Sequence, residues 1–201
     1  MIRNHPLRFT EIYHRRQVNN IYFDTVGMRN FHDNIDGAAE RQKYRIRWYG
    51  DLFGKAEKPV LECKIKKGQV GTKESYALNS FSVDSSFGKA ALQEALAGTG
   101  FPDTLKHQLL SMQPTLLNSY TRKYYMSDNK LFRVTLDSDL QFYRIGYYGN
   151  TFLNHVKDPL SIVMELKYAT EADVEASQWL DFSPLYSTKS SKYVQGINFL
   201  Y

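Results

Sequence analysis

Arg41, Lys43, Arg45 and Arg47 stand at every second position of one run, with Tyr44, Ile46 and Trp48 between them. Side chains alternate across a strand, so an extended run puts the four cations on one face and the apolar residues on the other. A helix would spread both sets around its circumference. The alternation returns in Leu61–Lys66, Phe132–Asp137 and Met164–Lys167. A chain built of such strands folds as a sheet with one apolar and one charged face. Where several strands curve around one space, that space gathers cations with a few carboxylates among them. Two like charges about 4 Å apart repel by about 4 kcal/mol at an effective dielectric of roughly 20, so the cluster calls for counter-charge. A multivalent anion is the expected occupant.

Further strands are expected at residues 18–24, 42–49, 60–66, 72–78, 117–126, 131–143 and 160–168, from their content of β-formers and their alternation. Between them the period changes. Residues 87–96 and 102–110 have helical spacing; Gly98-Thr99-Gly100 ends the first and Pro102 suits the first turn of the second. Thr170 is placed to cap a last helix near residues 171–180. Residues 1–17 show no clear period, and a polar segment at 187–193 precedes an apolar tail at 197–201. The pattern predicts one domain over residues 1–201, of α+β class and dominated by antiparallel pairing. A helical insertion occupies about residues 86–112, and helices cover the apolar strand faces.

Composition narrows the classes. At 42% hydrophobic and 14% aromatic the chain has the means for a core. Lys and Arg exceed Asp and Glu by 26 to 21, a formal +5, so where the charges sit matters more than their sum. Cys63 is the single cysteine, which excludes an intrachain disulfide or a cysteine-based zinc site and suits a reducing cytosol. No apolar run approaches the roughly 20 residues of a transmembrane helix, and no signal-peptide pattern opens the chain. P-loop, dinucleotide-binding, zinc-protease and kinase motifs are missing, as is a nucleophile elbow. Without an RNP1-like motif, no nucleic-acid polymer is expected as a partner.

Each charged motif, taken alone, has a plain structural reading. The Arg41–Arg47 ladder and the face of Glu62, Lys64 and Lys66, followed by Lys73, read as solvated strand faces of little energetic value. Arg122, Arg133 and Asp137 read as cross-strand pairing on a wet sheet. The repetition on separate strands is what points to an anion site: arginine forks take phosphate oxygens in pairs, and lysines add point charges. Glu165, beside Lys167, is a carboxylate able to neutralise its neighbours or to hold Mg²⁺ or Mn²⁺, which favour oxygen ligands and share coordination with phosphates.

Taken in order, these residues resemble the VTC domain, the polyphosphate polymerase branch of the triphosphate tunnel metalloenzyme (CYTH-like) superfamily. The resemblance is carried by Asn20–Asp24 (NIYFD), Arg41-x-Lys43-x-Arg45-x-Arg47 with Trp48-Tyr49-Gly50, and Glu62-x-Lys64. It continues through Gly71-x-Lys73, Asn118-x-Tyr120-x-Arg122, Arg133-x-Thr135-x-Asp137, Glu165-Leu166-Lys167 and Ser191-Lys192-Tyr193. The ordered succession makes it specific.

The resemblance implies an antiparallel β-barrel or tunnel with a basic interior and helices packed outside. It implies transfer of the ATP γ-phosphoryl group to a growing polyphosphate chain, with Mn²⁺ or Mg²⁺. Arg45, Arg47, Lys64, Arg122 and Arg133 would grip the triphosphate and the product chain. Lys43, Lys73, Lys167 and Lys192 would add phosphate-binding charge, and Glu165 would hold the metal. Two other readings stay open: a metal-dependent tripolyphosphatase, and a polyphosphate- or inositol-phosphate-binding domain without turnover. The family's first tunnel strand, with alternating acidic and basic residues, is not found in residues 1–17. The tunnel is therefore expected to lack that strand, with a second copy as one means of closing it. A cytoplasmic location, free or at the cytoplasmic side of a membrane complex with a membrane-protein partner, is expected.

Overall fold

The computed structural model describes residues 2, 5–68, 70–174, 176 and 188–201. Among these residues are ten strands: β1 (Thr10–Asp24), β2 (Glu40–Tyr49), β3 (Gly54–Ala56), β4 (Val60–Lys67), β5 (Val70–Ala77), β6 (Phe81–Val83), β7 (Gln113–Met126), β8 (Phe132–Arg144), β9 (His155–Asp158) and β10 (Val163–Tyr168). Among the described residues four helices accompany them: α1 (Arg29–Ile35), α2 (Lys89–Leu96), α3 (Asp103–Ser111) and α4 (Lys192–Leu200). The main sheet is antiparallel, in the order β10-β8-β7-β1-β2-β4-β5, with β9 also paired to β8; β3 and β6 form a small separate sheet. This is the expected α+β class. Among the described residues the strand path is open, with β5 and β10 at its ends, so the expected closed barrel is not seen.

The two faces of the sheet have different fates. Ile21, Phe23, Tyr44, Ile46, Trp48, Leu61, Cys63 and Leu117 form a core with Leu92, Ala95 and Leu96 of α2 and Leu109 of α3. The helical insertion thus covers the apolar face, and Cys63 is a buried core residue. On the other face, Val18, Tyr22, Leu116, Tyr120 and Phe142 pack against Tyr193, Ile197 and Leu200 of α4. These α4 positions follow helical spacing. Gly196 lies so close to the sheet that a Cβ there would meet Leu116 and Phe142 side-chain carbons at 2.6 Å. This helix corrects the expectation that all helices pack outside, for it lies on the charged face and fills one end of it.

Other departures have physical causes. β1 begins at Thr10, well before the expected Val18. Its first half pairs only with β7 and is mostly exposed, so nothing there demands hydrophobic alternation. β10 begins at Val163, because Asp158 first accepts hydrogen bonds from the Leu160 and Ser161 amides in a turn. β3, β6 and β9 are too short for periodicity to show. The unexpected helix α1 is held by Asp24, whose carboxylate accepts from the Asn30 and Phe31 amides at 2.8 and 2.9 Å. At the expected last helix, residues 170–172 form a 3₁₀ turn, and most of that segment lies outside the described residues.

Candidate functional site

The alternation of β2 sends Lys43, Arg45 and Arg47 to the charged face, and β4 and β5 set Glu62, Lys64 and Lys73 beside them. Register makes the arrangement exact in one respect: Lys43 pairs with Lys64, and Lys64 with Lys73, as direct neighbours across three strands. Arg45 faces Glu62 in the next row. From the other side, β7 supplies Tyr120 and Arg122, β10 supplies Glu165 and Lys167, and α4 brings Lys192 behind Ser190 and Ser191. Together they line a cavity of about 490 Å³. Its walls carry eight cationic side chains and two carboxylates.

Two carboxylates organise this charge. Glu62 accepts from Arg45 and from Lys73, each at 2.6 Å, and lies 3.5 Å from Arg47. Burial alone would raise its pKa. The charges of Arg45 and Arg47, with hydrogen bonds from Lys73 and Arg45, prevail and hold it down to about 2. Asp137, on β8 and buried, accepts Arg122 through both oxygens at 2.5 and 2.7 Å and Lys192 at 2.6 Å. Burial opposes the Asp137 charge as well, and the Arg122 and Lys192 contacts outweigh it, holding the carboxyl below its ordinary value.

Other cations are not neutralised. Lys43 donates to the Ser191 hydroxyl at 3.2 Å. Burial first, and then the charges of Lys64, Arg41, Arg45 and Lys189, press its ammonium down to about 8. Neither Lys43 nor Lys64 has a carboxylate partner among the described residues. Like charges directly opposite one another destabilise a sheet. An anion laid along the lysine row would remove that cost.

Tyrosines support the arginines. Arg45 donates to the Tyr22 hydroxyl at 3.3 Å, and Tyr22 stacks on Tyr193. Arg47 reaches the Tyr120 hydroxyl at 3.4 Å, while Arg122 and Lys192 lie over the Tyr120 ring at 5.2 and 4.8 Å from its centre. Tyr193 also donates to Asp24, which ties α4 to the start of α1.

A walled cavity with a surplus of arginine and lysine favours an anionic occupant, and comparison of the sequence gives the family. The model of the VTC domain matches residues 2–201, essentially the whole chain. The chain belongs to the VTC domain family. That membership ties it to polyphosphate-related function. The fold is also similar to the PH1819 protein from Pyrococcus horikoshii OT3, at 12% identity and a TM-score of 0.44, over 94% of this chain and 85% of that one. No curated protein matches the chain.

In this VTC domain, nine of the ten residues expected at the site line the cavity: Lys43, Arg45, Arg47, Lys64, Lys73, Arg122, Glu165, Lys167 and Lys192. Arg133 does not. By alternation it shares a face with Asp137 and sits opposite the cavity-lining Lys167, but its own side chain is exposed and does not line the cavity. Glu62 and Asp137 belong to the quoted motifs, yet their roles as the anchors of the cations come from the structure. Their signal in the sequence was a carboxylate in phase with cations on the same strand face. Tyr22, Tyr120 and Ser191 gave no such signal. No group of three or more His, Cys, Asp or Glu side chains suited to a metal occurs among the described residues. Glu165 remains half exposed to the cavity, 3.5 Å from Lys167. No helix among the described residues is long and apolar enough to cross a membrane.

Proposed function

We propose that this VTC domain is a metal-dependent polyphosphate polymerase that transfers the γ-phosphoryl group of ATP to a polyphosphate chain lying in the basic cavity. The observation that carries the reading is the in-register row Lys43–Lys64–Lys73, with only Glu62 beside it to offset the charge. In the reaction, a terminal oxygen of the chain attacks the γ-phosphorus, the bond to the β-phosphate oxygen breaks, and ADP leaves. Such a step needs alignment and neutralisation of charge more than a protein nucleophile. Arg45, Arg47 and Lys64 hold the phosphates on one wall, while Lys192 and Arg122 hold positive charge on the other.

Mn²⁺ or Mg²⁺ fits this donor set only together with the ligand. Glu62 and Asp137 are each held by two cations at 2.5–2.6 Å, whereas Glu165 has a 3.5 Å contact with exposed Lys167, so among the described residues Glu165 is the cavity carboxylate that would hold a metal together with phosphate oxygens. When bound, the metal neutralises charge on the transferring phosphates. The open side between β5 and β10 is where a strand of a second copy would complete a tunnel. A membrane-protein partner and a cytoplasmic location belong to the same reading.

The test is incubation with ATP and Mn²⁺ and a short polyphosphate primer, with products resolved by size. Chains growing beyond the primer, with ADP released in step, are the expected result. Phosphate release without growth would assign a tripolyphosphatase instead. That no group of three or more potential metal ligands occurs among the described residues favours a second reading, a polyphosphate- or inositol-phosphate-binding domain without turnover. That reading predicts metal-independent thermal stabilisation by tripolyphosphate or inositol hexakisphosphate and no product of any kind.

A further inference from the structure

Asn20 and Asn118 belong to motifs whose purpose the cavity does not explain, because neither side chain lines it. Both are wholly buried. They lie in one row with Arg47: β1 sets Asn20 opposite Arg47 on one side and opposite Asn118 on the other. Arg47 Nε donates to Asn20 Oδ1 at 3.0 Å, and Asn20 Nδ2 donates to Asn118 Oδ1 at 2.8 Å.

The direction of this relay is forced. A guanidinium only donates, so Asn20 must turn its oxygen to Arg47 and its nitrogen to Asn118, which must answer with oxygen. Asn118 Nδ2 is thereby left buried without a hydrogen-bond partner. Buried donors are normally satisfied, so a row that leaves one unmet must gain elsewhere. The gain is the aim of Arg47. With Nε held from behind, its two terminal nitrogens make only long contacts, 3.5 Å to Glu62 and 3.4 Å to Tyr120. They face the cavity as a pair, the geometry that grips phosphate oxygens.

We propose that Asn20 and Asn118 are positioning residues that orient the Arg47 fork toward the polyphosphate ligand, Asn118 acting through Asn20. The assignment deepens the proposed polyphosphate site, and its functional half rests on that reading. Were Asn118 unable to accept, the Asn20 amide would be free to flip. It would then meet Arg47 donor to donor and turn the fork away. Lys64 is independent of this relay, since among the described residues it shares no hydrogen-bond or ion-pair partner with Arg47, whereas Arg45 shares Glu62 Oε2 with it.

Two measurements on the whole chain test this. The first needs no ligand. The Arg47 Nε–H resonance, assigned by its loss in Arg47→Lys, should be protected from solvent exchange in the wild type. It should exchange about tenfold faster or more in Asn118→Leu, and stay protected in Asn118→Asp, which keeps the acceptor. Should Asn118→Leu fail to fold, Asn20→Ala removes the acceptor itself and must give the same loss. An unchanged resonance in folded Asn118→Leu or folded Asn20→Ala overturns the proposal.

The second is a double-mutant cycle on tripolyphosphate binding. Asn118→Leu should weaken binding by about tenfold in the wild-type and Lys64→Ala backgrounds and by less than about twofold in Arg47→Ala. Equal losses in all backgrounds would mean a merely structural role and also overturn it. A protected, Asn118-dependent resonance in a protein that binds no tripolyphosphate would leave the positioning intact and defeat the polyphosphate reading.

Discussion

The two walls of the cavity use the same device, one carboxylate shared among cations, and put it to different ends. On the β7–β8–α4 wall, Asp137 is 2% exposed, and its partners Arg122 and Lys192 are each 12% exposed. Asp137 balances one of their two charges in a closed cluster that also fastens α4. On the β2–β4–β5 wall, Glu62 faces Arg45, Arg47 and Lys73, and Lys43 and Lys64 stand in the adjacent positions with no carboxylate of their own. The first wall is fixed in place by its own ion pairs. The second carries an excess of charge that a ligand must complete. Burial and stoichiometry, rather than residue type, separate the scaffold from the grip.

Removing each anchor breaks the comparison most severely. Asp137→Asn leaves Arg122 and Lys192 buried beside each other without a counter-charge, a change expected to cost about 3–5 kcal/mol of stability in chemical denaturation. Glu62→Gln should cost less, about 1.5–3 kcal/mol, because Lys73 is more than half exposed and regains water. Tripolyphosphate should restore most of the Glu62→Gln loss and little of the Asp137→Asn loss. Equal costs and equal rescue would mean that the walls do not differ in kind.

Lys43→Ala with Lys64→Ala acts on the grip alone. Each ammonium-to-phosphate hydrogen bond is worth about 1.5–3 kcal/mol, so the pair should weaken tripolyphosphate binding by about 100-fold or more. The free protein should gain or hold thermal stability, since a row of like charges is relieved. A fall in stability comparable to the loss of binding would place these lysines in the scaffold instead.

The contrast also sets how much the sequence could disclose. Alternation on β2, β4, β8 and β10 shows which side chains share a face, because a period of two is a property of the strand alone. It therefore exposes the cationic wall early. Which strands neighbour one another is decided by long-range pairing, and no local pattern places Lys43 level with Lys64 and Lys73. The Asp137 cluster is harder still. It joins β7, β8 and a C-terminal helix, and that helix reads as a polar segment with an apolar tail until the burial of Tyr193, Ile197 and Leu200 gives it a face. Arg133 has the right phase and stands opposite Lys167, which lines the cavity, yet its own side chain is exposed outside the lining, and phase alone does not separate the two.

The smallest effect, and a discriminating one, is in protons. Lys43 lies at about 8 in the folded protein against 10.5 for an ordinary lysine. Between those values the unfolded chain keeps a proton that the folded chain has shed, so this group's contribution to stability rises with pH across that window. Below about pH 8 the cost of the buried, crowded ammonium is carried in full. A bound polyanion raises Lys43 again, and the complex takes the proton back. Binding near pH 9 should therefore take up close to one proton more in the wild type than in Lys43→Met, and near pH 7 almost none. Titration calorimetry in buffers of different ionisation enthalpy reads that difference and cancels the ligand's own protons. Equal uptake by the two proteins at pH 9 would show that the phosphates do not lie against Lys43, and the lysine row would no longer define the grip.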